Sequence, residues 1–114
     1  MDVFTLHPYS VSMAPAEEHA EWLGRILETA EALGKPAIVT ECCWGADTDE
    51  ERGALVDLEL RHYAEQGVGF LAHALYPSPV ADLHPADGVN PGMYMPFLLK
   101  DGSIRPYHEV FNRY

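Results

Sequence analysis

The chain reads as an α/β domain built on a parallel sheet. Three observations predict this: short apolar runs at 3–6, 37–40 and 68–74, an amphipathic helical stretch between each pair, and punctuation where the helices should stop. Strand, helix, strand, helix, strand in that order requires right-handed crossovers, and therefore parallel strands.

Each element has its own local reason. Val3 to Leu6 makes a short strand, and Pro8 ends it by forcing an extended or turn conformation. Pro15 suits the first turn of a helix running to about Leu33. Leu23, Ile26, Leu27, Ala30 and Leu33 supply one apolar stripe, and Glu17, Glu18 and Glu21 favour the positive end of its dipole. Gly34 suits the helix C-cap, and Pro36 opens the next strand without needing a ladder donor. Ala37, Ile38, Val39 and Thr40 form a β-branched run of the kind that is covered on both faces, with Glu41 at its C-terminal tip.

Thr48-Asp-Glu-Glu51 reads as a capping box for a second helix to about Gln66, with Leu55, Leu58, Leu60 and Tyr63 as its apolar surface. Gly67 stops that helix, and Val68 to Ala74 makes the third strand. From Tyr76 to Pro96 the chain is rich in proline, glycine and aspartate and reads as a long, functional loop. Phe97 onwards is a short extended piece with a turn at Asp101-Gly102, and Pro106 opens a last short helix through Asn112.

Composition narrows the function classes. A net charge of −11 over 114 residues opposes binding to nucleic-acid phosphates or an anionic membrane surface. No apolar run reaches transmembrane length, and no basic region followed by an apolar core marks a leader. The cysteines, Cys42 and Cys43, are neighbours, so they form no disulfide framework and read as reduced thiols packed at a strand end. Reduced thiols point towards the cytoplasm. A metal pair with His7 or His73 has no supporting ligand spacing, and neither metal nor cofactor is expected.

In a parallel sheet all C-terminal tips face one rim, where ligands bind. The first strand offers His7 and Tyr9 there, the second Glu41 and Trp44, the third His73 and Tyr76. Asp82 and His84 in the long loop read as solvated residues, and His19, His62 and His108, each alone on a helix, as surface residues.

His7-Pro-Tyr9, Gly34-Lys-Pro-Ala-Ile-Val-Thr-Glu41 and Gly67-Val-Gly-Phe70 resemble strands six, seven and eight of the (β/α)8-barrel retaining glycoside hydrolases. The likeness is to the clan of the family 5 cellulases and mannanases. Lys100-Asp-Gly-Ser-Ile-Arg-Pro-Tyr-His108 resembles the last helix of xylanase- or cellulase-like members. The resemblance covers essentially the whole chain, with Lys35 to Glu41 its most specific part.

The resemblance implies a partial TIM barrel: residues 1–114 as a single C-terminal segment, three parallel strands with their helices plus a closing helix. It implies Glu41 as the nucleophile that forms a glycosyl-enzyme intermediate on a β-linked glycan. It implies Tyr9 as the tyrosine that orients this carboxylate, and His7 as a residue shaping the sugar subsite. Trp44 and Tyr76 would stack on sugar rings, and His73 or Tyr76 would stand in for the tryptophan that usually ends strand eight.

The chain departs from the family in one more respect. The acid/base of the clan sits in an Asn-Glu pair on strand four, and no Asn-Glu occurs here. Retaining chemistry needs a second carboxyl roughly 5 Å from the first. A whole barrel takes about 250 residues. The expectation is a segment that works with a missing N-terminal barrel part; a carbohydrate-binding module, or a half-barrel that pairs with another copy, is the alternative.

Overall fold

The computed structural model describes residues 2–8, 16–43, 45–76 and 95–114. Its elements are β1 (Phe4–Leu6), α1 (Ala16–Ala32), β2 (Ala37–Cys42), α2 (Asp49–Glu65), β3 (Gly69–Ala72) and a closing 3-10 turn, η1 (His108–Arg113). The strands form one open parallel sheet in the order β1-β2-β3. The α/β reading therefore holds, and β2 is the central strand. None of the helices among the described residues is long and apolar enough to cross a membrane.

Both helices stop as their glycines require. Gly34 and Gly67 adopt φ of +65° and +67°, the left-handed region that costs glycine nothing. Lys35 N–H donates to the Ala30 carbonyl and Val68 N–H to the Tyr63 carbonyl, while each glycine N–H bonds two residues short of its cap. These are two Schellman closures, and each feeds the chain directly into a strand. At the other end of α2 the Thr48 hydroxyl accepts from Glu51 N–H at 3.2 Å, the first half of the expected box.

Leu6, Val39 and Phe70 lie in register across the sheet and pack with Leu23, Val56, Leu60 and Tyr63 into the core. The expectation that β2 is covered on both faces is met only in part, since Val39 and Cys42 are buried while Ala37, Ile38, Thr40 and Glu41 are half-buried; on β3, Leu71 is 57% exposed. Leu33 is likewise exposed, because the helix ends before it. On α2 the apolar reading was half right. Leu60 and Tyr63 are buried and Leu55 and Leu58 only partly so, whereas Arg52, Gly53, Val56 and Glu59 share the inward face.

The third strand is shorter than expected, ending at Ala72, and the closing helix is a 3-10 turn beginning at His108. The turn at Asp101-Gly102 is present: Leu98 and Ile104 pair in an antiparallel bridge, Gly102 has φ +85°, and Asp101 Oδ1 accepts from the Ser103 amide and hydroxyl. The long loop, with Asp82 and His84, lies outside the described residues except at its ends.

Candidate functional site

β2 carries the acid, and an irregularity in its pairing decides where the acid sits. Val39 pairs with Phe70 and Cys42 with Ala72, so three steps along β2 match two along β3. Residues three apart on a regular strand point to opposite faces. Here Val39 and Cys42 are both fully buried in the same core cluster, as a bulge allows. Glu41 is thus inside β2 rather than beyond its tip, within the bulged stretch, and its side chain remains 30% exposed.

At that point two histidines meet it from the flanking strands. His7, one residue past β1, brings Nδ1 to 3.2 Å from Glu41 Oε2. His73, one residue past β3, brings Nδ1 to 3.3 Å from Glu41 Oε1. Each carboxylate oxygen therefore has its own imidazole. The two rings bracket the carboxylate at ion-pair distance, one from each side. His73 is held by its amide, which donates to the Cys42 carbonyl at 3.0 Å. The side chains of His7 and His73 are 55% and 42% exposed, so the group opens to solvent.

The structure thus assembles three of the six residues expected at the rim: His7, Glu41 and His73. Tyr9 and Trp44 lie outside the described residues. Tyr76 is not aimed at the carboxylate through its hydroxyl, which donates instead to the Lys100 carbonyl at 3.2 Å. Neither His7 nor His73 joins the cysteines in a cluster.

Behind the rim lies a second polar group that the sequence did not announce. Cys42 and Cys43 are buried, their sulfurs 3.5 Å apart, and Cys43 N–H donates to Glu59 Oε2 at 2.9 Å. Arg52, fully buried, donates to the carbonyls of Cys43 and Met95, and its guanidinium lies 4.8 Å from the centre of the Phe97 ring. Burial pushes the Arg52 pKa down, against the opposing pull of Cys43 and Glu59. The Cys43 thiol is pushed well above the usual range, first by its hydrogen bond with Cys42 and then by burial. The helix spacing of Arg52, Val56, Glu59 and Tyr63 was the available signal, because these positions share one face.

The helix histidines correct the surface reading. His19 and His62 are buried between α1 and α2 with their Nδ1 atoms 2.8 Å apart and rings stacked at 5.1 Å. One ring must donate and the other accept, so at least the accepting imidazole is neutral. Burial, then the neighbouring His62, lowers the His19 pKa to about 4, and burial also lowers that of His62. His108 is 1% exposed, with its Nδ1 on the Pro106 carbonyl and its ring edge-on to Phe97.

No protein-family model, curated protein or solved structure matches the chain.

Proposed function

We propose that this chain is the nucleophile-bearing part of a retaining β-glycosidase of (β/α)8 architecture, with Glu41 as the attacking carboxylate. The observation that carries the reading is the clasp of Glu41 by His7 and His73 at the C-terminal rim of a parallel sheet. A nucleophile of this kind must stay ionised, hold one orientation and face the solvent-filled cleft where a sugar would lie. Two imidazoles at the ends of neighbouring strands, with a part-exposed carboxylate between them, suit that task. Tyr9 and Trp44 flank this rim in sequence and keep the orienting and sugar-stacking roles in the proposal.

The first half of such a reaction is attack of a Glu41 oxygen on the anomeric carbon, with departure of the aglycone oxygen. Departure of an ordinary sugar needs a proton from a second carboxyl. In this proposal that acid comes from further barrel strands, for which the open edges of β1 and β3 and the exposed Leu71 leave room. The isolated chain then turns over no ordinary glycoside.

The test bypasses the missing acid. A 2-deoxy-2-fluoro-β-glycoside with a dinitrophenolate leaving group departs without protonation and leaves a long-lived glycosyl ester. Peptide mass mapping should find that ester on Glu41 and lose it in Glu41→Gln. Binding of β-linked oligosaccharides with no adduct would favour the non-catalytic module, and neither adduct nor binding would remove the carbohydrate reading.

A further inference from the structure

We propose that Cys42, Cys43 and Glu59 form a buried binding site for a thiophilic divalent cation of the zinc class. The inference is independent of the glycosidase reading. One ligand atom from each residue falls within 4.8 Å of the others, and all three residues are buried.

The spacing suits the ion. Zinc–sulfur bonds are about 2.3 Å, so two thiolates 3.5 Å apart would subtend an angle of roughly 100° at the metal, close to tetrahedral. Cys43 makes the arrangement reachable for neighbours in sequence. Its φ of +72° turns the chain at the strand end, and its sulfur stays beside that of Cys42. Glu59 comes from α2, held by the Cys43 amide, so the third ligand sits on a rigid element. Soft sulfur ligands beside one carboxylate favour zinc or cadmium over magnesium or calcium, which take oxygen.

Charge gives the second, independent argument. With Glu59 ionised and the thiols protonated, Arg52 and Glu59 already balance. A divalent ion that displaces the two thiol protons leaves two thiolates, one carboxylate, one guanidinium and the ion, which again sum to zero. Bound state and empty state are both neutral in an interior where net charge is costly. Two protons leave for each ion bound, which is the coupling expected of thiolate sites.

The test uses the purified chain, stripped with a chelator and kept reduced, and titrated with cadmium and then zinc. One equivalent of cadmium should bring up a thiolate-to-metal ultraviolet band, and calorimetry in two buffers should count two protons released per ion. Cys42→Ser and Cys43→Ser keep the side-chain volume and should abolish the band while the far-ultraviolet dichroism stays unchanged. Glu59→Gln should weaken binding about 10-fold or more. The double variant His7→Ala/His73→Ala should bind as the parent does. A parent chain without the band overturns the site, as does a band that survives the double cysteine replacement or disappears with the two histidines.

Discussion

Glu41 and Glu59 lie on either side of the same strand end, and the chain treats them in opposite ways. Glu41 is 30% exposed and is held by two imidazoles from β1 and β3. Glu59 is 1% exposed and is held by a backbone amide, with Arg52 buried nearby as its counter-charge. One carboxylate is oriented and left available; the other is enclosed and neutralised. The difference teaches that position on the sheet does not decide a carboxylate's task here. The bulge in β2 does, by turning Cys42 inward towards Glu59 and leaving Glu41 at the rim.

The largest effect should come from breaking the interior side. Arg52→Met removes the nearby cation and leaves the Cys43 and Met95 carbonyls without their donor. Leaving a buried charge uncompensated typically costs about 3–5 kcal/mol. Urea denaturation should show that loss, and Arg52→Met/Glu59→Gln should recover part of it. If the double variant is as unstable as the sum of the singles, the two charges are not partners.

A smaller effect should follow from moving α2, the helix that carries Glu59. A Cβ added at Gly53 would lie 2.8 Å from both Cβ and the carbonyl oxygen of Tyr107. Because backbone is among the atoms met, η1 must shift, and Gly53→Ala should cost about 1–3 kcal/mol by thermal or denaturant unfolding.

Acid should separate the interior from the rim again, through histidines. The His19 pKa of about 4 lies below its ordinary 6.5, so the fold favours the neutral ring. Stability from this pair is fully present above pH 6.5, falls as the pH drops towards about 4, and loses nothing further from His19 below that. Glu65 and Arg61 act on His62 with opposite sign. Thermal midpoints measured across that range should fall for the parent and fall less steeply for His19→Gln. Equal slopes would place the acid sensitivity elsewhere.

The smallest effect on stability belongs to the rim. Glu41→Gln, an isosteric change at a part-exposed position, should stay within about 0.5 kcal/mol of the parent while removing any adduct with the fluoroglycoside. A large destabilisation would mean that Glu41 serves the fold.

The parts of this fold that depend on local chemistry could be read in advance. Gly34 and Gly67 forecast helix ends because only a left-handed residue makes those closures easily, and Thr48 forecast a helix start. The placement of His7 and His73 beside Glu41 followed from the shared direction of parallel strands. What escaped depends on contacts between distant segments. Arg52 and Glu59 look like solvated helix charges until β2 and Phe97 are brought against them. His19 and His62 look solitary because they are separated by a whole strand and two turns, and only the packing of α1 on α2 makes them a pair. The bulge in β2 has no marker in composition, since it reflects unequal spacing across two strands.

The closing segment runs along α2 and is fastened to it at two levels. Arg105 ties the start of α2 at Asp49 and also donates to the Pro96 carbonyl, while Arg113 and the Tyr114 hydroxyl both reach Asp57, two helical turns further on. The tail thus splints the helix that presents Glu59. Amide hydrogens of α2 and of residues 105–114 should exchange with solvent as one cooperative unit, although they lie far apart in the chain. Cutting away the last two residues would release the fastening at Asp57, midway along the helix and two residues from Glu59.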